Sequence, residues 1–338
     1  MTSPEKSERE TLQLFDLLFK MLLTETSHPA VVHFINGLFD KNYPPDSEVV
    51  FANTESVAAP AEKLEKIQSD LILLIDGDAF LLEAQIGDDE NIALRVFQYG
   101  FAYARRHRQI SDDDGTITLT MPEAKILYWE TSRKTPDKVT LDLAFPDGVH
   151  HRYAVETVKM LDQSMEALER RKLLLLLPFC VLKFRKEVKK NSADAEKRRQ
   201  LAGEMQTLLR RLEGLVDRGC VADRLSPGDA ITIMDGINRM LDEIYHPYPE
   251  FKETTMELQE RLIPRWKEYY ARGQQEGRQE GRQEGRQEGR QEGRQEGELK
   301  GELKERRQIL ELLNHNCTIE RLKEILMQKT TPDVAVLR

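Results

Sequence analysis

Apolar residues recur at helical spacing over residues 9–26, which predicts an amphipathic helix at the start of the chain. His28-Pro29 interrupts this pattern, and the segment AVVHFINGLFD that follows predicts a second short helix ending near Gly37. After a pair of prolines, the β-prone run EVVFANTESV at 48–57 predicts extended chain. The first sixty residues therefore predict two helices that lead into a sheet.

Two apolar, β-prone runs, 71–75 and 79–86, flank the sequence Asp76-Gly77-Asp78. An Asp-Gly pair between such runs is a strong signal for a β-hairpin with a two-residue turn. The segment SDLILLIDGDAFLLEAQ thus predicts two paired strands. Both are apolar enough to be largely buried.

Three simple registers of this hairpin are open. With Asp76-Gly77 as the turn, counting back pairs Asp70 with Glu83, whereas a turn shifted by one residue pairs Asp70 with Gln85. Directly opposed residues share a face of the sheet, so both of these registers place the three polar side chains together. A three-residue turn instead pairs Asp70 with Ala84 and separates them.

The remaining pattern alternates strands and helices and then becomes helical. The predicted elements are an amphipathic helix at 90–108, a buried strand at 123–130, a second hairpin built from 139–145 and the segment after Gly148, a helix at RKLLLLLPF broken at Pro178, and further helices beyond. The predicted class is α/β, with a small mixed sheet flanked by helices and followed by a helical segment and a repeat tail. The predicted domains are 1–160, a helical segment 161–270 packed on it, a repeat 271–304, and a helical hairpin 305–338.

The repeat has the period GRQE, with a glycine every four residues from Gly273 to Gly301. Glu and Arg are two or six residues apart in it, so a lone helix would lack the favourable i,i+3 and i,i+4 pairs. One interpretation of 273–304 is a flexible spacer. The other is a helical segment that, with the C-terminal helices, forms a homo-oligomer through a glycine stripe.

Composition narrows the class of protein. The 338 residues carry a net charge of −9. This charge argues against a protein that covers nucleic acid through its overall electrostatic attraction, but not against an enzyme that binds DNA at one local site. Three cysteines without CxxC spacing predict a reducing compartment. The charged N-terminus and the short apolar run Leu173–Leu182 lead us to expect a cytoplasmic protein without membrane attachment.

The polar trio on the hairpin is the strongest candidate for chemistry. Asp70 and Glu83, held close, repel each other unless a cation lies between them, and carboxylate oxygens suit Mg²⁺ or Mn²⁺. Gln85 orients a water molecule or offers a carbonyl oxygen, but it is not a base. The alternative is that Asp70 caps the strand and Glu83 faces solvent.

The order of these elements resembles the PD-(D/E)XK nuclease superfamily. The helix with DLLFK (16–20) is followed by Asp70 before a strand, Glu83-Ala84-Gln85 on the next strand, and a helix containing RVFQY (95–99). The chain is more closely similar to the recombination-promoting nuclease (Rpn) family, also described as PD-(D/E)XK family transposases, in which ExQ commonly replaces ExK. The stretches LDLAFPDGVHHRY and RRKLLLLLPFCVLKFRKE and the glycine-periodic tail extend the resemblance.

The resemblance implies a restriction-endonuclease-like core and Mg²⁺-dependent or Mn²⁺-dependent hydrolysis of DNA phosphodiesters, associated with recombination, mobile DNA or defence. It implies metal ligands at Asp70, Glu83 and the backbone carbonyl of Ala84, with Gln85 positioning the attacking water. The residues expected to contact DNA are Lys20, Arg95, Tyr99, Arg105, Arg106 and Arg108. Two other hypotheses stay open, namely a catalytically inactive nuclease fold that acts as a binding or assembly module, and RNA as the substrate.

Overall fold

A computed structural model of the chain describes residues 4–52, 55–57, 66–68, 71–87 and 89–252. It also describes eight single positions beyond them, namely Met256, Glu268, Ala271, Gly297, Lys300, Gly301, Lys304 and Arg307. The chain divides into two compact units, Met1–Ala271 and Arg272–Arg338. Every element described below lies in the first unit.

The first half of this unit carries most of the strands. Its elements are α1 (Pro4–Glu25), α2 (His28–Phe39), β1 (Val49–Ala52), β2 (Glu55–Val57), β3 (Lys66–Gln68), β4 (Leu71–Ile75), β5 (Asp78–Gln85), α3 (Ile92–Arg106), β6 (Gln109–Ile110), β7 (Ile117–Thr118) and β8 (Glu123–Tyr128). The second half begins with a hairpin and continues as helices. Its elements are β9 (Lys138–Ala144), β10 (His150–Lys159), α4 (Met165–Arg170), α5 (Arg185–Lys190), α6 (Ala195–Val221) and α7 (Pro227–Tyr245), with 3₁₀ helices at Met160–Asp162, Leu174–Phe184 and Pro249–Phe251.

Six strands form one mixed sheet in the order β1-β4-β5-β8-β10-β9. The β5–β8 and β8–β10 pairs are parallel, and the other neighbours are antiparallel. The chain leaves β5, passes through α3 and returns as the adjacent parallel strand β8, a connection that requires a crossover such as a helix. The predicted α/β class with a mixed sheet flanked by helices is confirmed.

The two faces of the sheet bury different clusters. Alternate residues of β5 separate to opposite sides, with Phe80, Leu82 and Ala84 in the larger cluster and Leu81 in the smaller one. The larger cluster contains α1, α2, the 3₁₀ helix Leu174–Phe184, α6 and α7, whereas α3 covers the other face. The molecule is therefore layered as helices, sheet and one helix. The segment after residue 160 shares the core of the first 160 residues.

The turn between β4 and β5 adopts the first register considered from the sequence. Asp76 and Gly77 have φ angles of 50° and 91°, and Ile75 is paired with Asp78. Two consecutive positive φ angles are the requirement of the type I′ turn that suits a twisted hairpin. The described pairing continues to Leu71 opposite Leu82.

The helix predicted at RKLLLLLPF is a 3₁₀ helix in the structure and not an α-helix. The sequence predicts an α-helix broken at Pro178, but the chain forms a 3₁₀ helix from Leu174 to Phe184 with Pro178 inside it. Almost every side chain of this segment is buried, and Pro178 inside it lacks the N–H for an i→i−4 hydrogen bond and its ring clashes with the carbonyl one α-helical turn earlier. Phe179 stacks on Trp129 at the end of β8, with ring centroids 3.8 Å apart, and this contact joins the segment to the sheet.

Other boundaries shift by a few residues. The sequence predicts that His28-Pro29 separates the first two helices, but both residues lie in the first turn of α2, with Ser27 as its N-cap. Proline is favoured there because the first helical N–H groups have no intrahelical partner. Of the repeat and the C-terminal segment, the described positions 297, 300, 301, 304 and 307 are helical and exposed, and the rest lies outside the described residues. Within the described part of the chain, every helix is too short or too polar to cross a membrane.

Asp229 joins the beginnings of α2 and α7, and we expect its removal to destabilise the fold. Its carboxylate accepts hydrogen bonds from the Ser27 N–H and hydroxyl at 2.6 and 2.7 Å and from the Ser226 N–H at 2.7 Å. The Asp229 side chain is 2% exposed and its three hydrogen bonds are partly buried, so Asp229→Ala leaves the donors of Ser27 and Ser226 without this acceptor. We predict a loss of about 2–4 kcal/mol in the free energy of unfolding, measured by urea denaturation. Asp235→Asn on the exposed side of α7 is the control, and an equal loss there would contradict this assignment.

Candidate functional site

The guanidinium of Arg95 holds three oxygen-bearing side chains together on the α3 face of the sheet. Its Nε donates to Oε1 of Glu83 at 2.7 Å, and its Nη2 lies 2.7 Å from the same oxygen. Nη2 also donates to Oε1 of Gln85 at 2.8 Å, and Nη1 donates to Oδ2 of Asp89 at 2.7 Å. These four residues form the Arg95 cluster.

The sequence places Glu83 and Gln85 in this cluster through strand alternation. Both lie on β5, two residues apart, and therefore point to the same face. Arg95 lies in the first turns of α3, which packs on that face through Ile92 and Val96. The shared face predicted for Glu83 and Gln85 is observed.

Burial makes the charge of Glu83 the decisive feature of the cluster. Its side chain is 2% exposed, compared with 32% for Arg95 and 23% for Asp89. An isolated carboxylate in such a place would be strongly destabilising, so the ion pair with Arg95 is required. Burial lowers the pKa of the Arg95 guanidinium, but the charge of Glu83 and its hydrogen bond outweigh that effect and leave the pKa above its ordinary value. The alternative of a solvent-facing Glu83 is wrong, since the side chain is buried and paired.

Asp89 is the member of the cluster that no sequence motif indicated. It lies in the loop between β5 and α3, where its Oδ1 accepts the N–H of Asn91 at 2.9 Å and its carbonyl accepts the N–H of Ile92 at 3.3 Å. Acidic side chains are favoured just before a helix because the first N–H groups lack intrahelical partners. The position of Asp89 just before a predicted helix is the sequence feature that could have indicated its role in the cluster.

Asp70 lies outside the described residues. The observed turn at Asp76-Gly77 is the one for which the sequence count pairs Asp70 with Glu83, and that pairing stays a prediction. Ala84 lies between Glu83 and Gln85 with its side chain in the larger cluster on the opposite face. A role for its carbonyl as a ligand likewise stays a prediction.

The residues expected to contact DNA are distributed over three places. Arg95 is in the cluster, and Tyr99, one turn further along α3, packs against the smaller hydrophobic cluster and influences the pKa of Arg95. Lys20 is half-buried on α1, which belongs to the opposite layer, and its side chain forms no ion pair with any described residue.

Arg105, Arg106 and Arg108 are exposed at the other end of α3. Ten residues of helix separate Arg105 from Arg95, which corresponds to about 15 Å along the axis. The structure therefore does not bring this basic group into the Arg95 cluster.

The donor set of the cluster fits a hard divalent cation only with a further acidic ligand. Glu83, Asp89 and Gln85 offer carboxylate and amide oxygens, the ligand type that Mg²⁺ and Mn²⁺ prefer. Arg95 already balances one of the two negative charges. No group of three or more acidic, histidine or cysteine side chains suited to a metal occurs among the residues that the structure describes. Asp70, which is not among them, is the further acidic ligand that the sequence predicts, and that prediction lies outside the described residues.

Comparisons with protein-family models, with curated proteins and with solved structures find no match to this chain. The cluster is therefore interpreted from its own geometry.

We predict that Arg95→Ala lowers the free energy of unfolding by about 2–4 kcal/mol, because it leaves the buried Glu83 carboxylate without its cation. Arg95→Ala combined with Glu83→Gln should recover part of that loss, since the buried charge is then gone. Urea denaturation of both variants measures the difference. Arg239→Ala, which breaks an exposed pair with Asp235 on one helix, should cost less than about 0.5 kcal/mol. A loss for Arg95→Ala no larger than that of the control would contradict the required pairing.

Proposed function

We propose that this protein is a metal-dependent endonuclease that hydrolyses DNA phosphodiester bonds and is associated with recombination, mobile DNA or defence. The observation that carries the proposal is the buried Glu83 carboxylate, held with Gln85 on the central strand β5 by the guanidinium of Arg95. Burying an acidic side chain in a sheet costs free energy, and charged groups in such places are candidates for function. The resemblance to PD-(D/E)XK and Rpn nucleases supplies the chemistry that this arrangement fits.

The topology supports the proposal at the level of the fold. An antiparallel hairpin, β4–β5, precedes a helix that crosses over to the parallel strand β8, and helices flank the mixed sheet. This arrangement is compatible with a nuclease-like α/β core. We propose the finer assignment to the PD-(D/E)XK fold on the order of the motifs together with this topology.

In the proposed mechanism Asp70, Glu83 and the carbonyl of Ala84 would hold Mg²⁺ or Mn²⁺. The chemistry that such an ion would supply is Lewis-acid activation of the scissile phosphate and of the attacking water. Gln85 orients the attacking water through its amide, and Arg95 fixes the orientation of both Glu83 and Gln85. A phosphate oxygen that approaches the cluster meets the partly exposed guanidinium, a group that binds phosphate well.

The test is a plasmid-nicking assay of the full chain with Mg²⁺ or Mn²⁺. We expect Asp70→Asn and Glu83→Gln each to lower the cleavage rate about a hundredfold or more, because each removes a charged metal ligand. Glu243→Gln, at an exposed carboxylate of α7, should keep the wild-type rate and serves as the matched control. EDTA should abolish cleavage by every variant.

Three outcomes of the same assay discriminate between the hypotheses. Loss of cleavage in both site variants but not in the control supports the proposal. Cleavage of RNA in place of DNA would retain the mechanism and change the substrate. Absence of cleavage by correctly folded wild-type protein on single-stranded and double-stranded DNA and on RNA would contradict the proposal and favour a binding or assembly module.

A further inference from the structure

A polar cleft lies at the end of β5 opposite to the Arg95 cluster, where the strand begins. Its volume is about 500 Å³, and the residues on which the inference depends are Lys41, Tyr43, Asp78, Tyr103, His107 and Glu123. Five residues of strand separate Asp78 from Glu83, which corresponds to about 17 Å, so this turn-end cleft is separate from the Arg95 cluster. Its size falls within the range of small-molecule binding sites.

One wall of the turn-end cleft is aromatic. The rings of Tyr103 and His107 are stacked with centroids 4.4 Å apart and planes inclined by 27°. Tyr103 is half-buried in α3, whereas His107 is exposed at the C-terminal end of that helix. The outer face of the imidazole therefore offers a planar surface on which another ring can continue the stack.

The opposite wall carries hydrogen-bonding groups. The Tyr43 hydroxyl donates to Oδ2 of Asp78 at 2.5 Å, and Nζ of Lys41 lies 2.7 Å from Oε2 of Glu123. In each carboxylate the other oxygen has no hydrogen bond to a described residue, so Asp78 and Glu123 can both accept N–H donors from a ligand. Asp76, nearby, adds to the negative charge that acts on Tyr43.

These walls are held in position before any ligand arrives. The buried side chain of Asn36 accepts the N–H of Tyr43 and donates to its carbonyl, both at 2.8 Å. Gly100 allows Met121 to lie against α3, since a Cβ there would be 2.9 Å from the Met121 methyl group. A site whose groups are fixed in advance loses less entropy on binding.

The charges around the turn-end cleft are divided. The lining carries two carboxylates, Asp78 and Glu123, against one lysine, Lys41, while Arg105 and Arg108 beside His107 are exposed and basic. A nucleotide within a strand has the complementary distribution, with N–H donors on the edge of its base and negative charge on its phosphates. Carboxylates accept such base donors, and arginines bind phosphate.

We propose that the turn-end cleft binds an unpaired nucleobase of a single-stranded nucleic acid. The base stacks on His107, its N–H groups donate to Asp78 and Glu123, and the flanking phosphates contact Arg105 and Arg108. The inference rests on the proposed function only in taking nucleic acid as the class of ligand. It narrows that class to strands with an accessible base, because a paired base presents neither a free face nor its full hydrogen-bonding edge.

The experiment measures the binding of two fluorescein-labelled single strands of 12 nucleotides to the full wild-type chain. One strand carries all its bases, and the other is abasic at its central positions. EDTA is present throughout. Fluorescence anisotropy should show binding about tenfold tighter for the strand with bases, because stacking and base hydrogen bonds are lost in the abasic strand. His107→Ala and Glu123→Gln should remove most of this difference while leaving the affinity for the abasic strand unchanged.

Two controls identify the contributing groups. His151→Ala removes an exposed histidine from β10, away from this cleft, and should leave the difference intact. The double variant Arg105→Ala with Arg108→Ala should weaken the binding of both strands by the same factor, since it removes phosphate contacts alone. Thermal melting followed by circular dichroism establishes that each variant is folded.

Equal affinity for the two strands, or a difference that survives in both His107→Ala and Glu123→Gln, would overturn the proposal. Because EDTA prevents metal-dependent cleavage, this outcome is independent of the nicking assay. Base-dependent binding without cleavage supports the turn-end cleft and contradicts the endonuclease proposal. Cleavage without base-dependent binding supports the endonuclease proposal and contradicts the proposal for the turn-end cleft.

Discussion

The buried ion pair between Glu83 and Arg95 is the interaction on which the arrangement of this face of the sheet depends. A carboxylate 2% exposed in a central strand is tolerated only with a cation close to it, and that cation comes from α3. The same guanidinium binds Gln85 and Asp89, so it also fixes the loop between β5 and α3. The compensation of a single buried charge thus links the first turns of α3, the loop before it and strand β5, while apolar packing through Ile92 and Val96 holds the helix on the sheet.

Strand β5 connects two polar regions that differ in character. Near its end, the Arg95 cluster combines acidic and amide oxygens around one guanidinium. At its start, the Asp76-Gly77 turn opens into a cleft bounded by Tyr43, Asp78 and the Tyr103–His107 stack. Helix α3 runs between them and contributes Arg95 to one and His107 to the other. Under both proposals, a nucleic-acid strand that lies along α3 would reach both regions, since the distance of about 17 Å along β5 corresponds to about five phosphate spacings of one strand.

The net charge of −9 takes its meaning from where the charges lie. Averaged over the chain it argues against nucleic acid as a partner. In the folded unit, several carboxylates are neutralised locally, as Glu83 is by Arg95 and Glu250 is by the bidentate contact of Arg198. The arginines at the end of α3 remain exposed and close together. Local binding of phosphate depends on such groups and not on the total charge.

The sequence by itself determined the α/β class, a hairpin around Asp76-Gly77-Asp78 and the shared face of Glu83 and Gln85, because turn chemistry and strand alternation are local properties of the chain. It left the register of that hairpin open, and the structure selected the turn at Asp76-Gly77. The sequence did not determine the order of the six strands, the 3₁₀ form of Leu174–Phe184 or the inclusion of Asp89. These depend on packing between segments far apart in sequence, as in the stack of Phe179 on Trp129. Only the tertiary structure showed that Arg95 lies against Glu83 while Arg105 and Arg108 border a different cleft. Helix periodicity gives the face on which a residue lies, but the partner of that face is set by how the helix packs on the sheet.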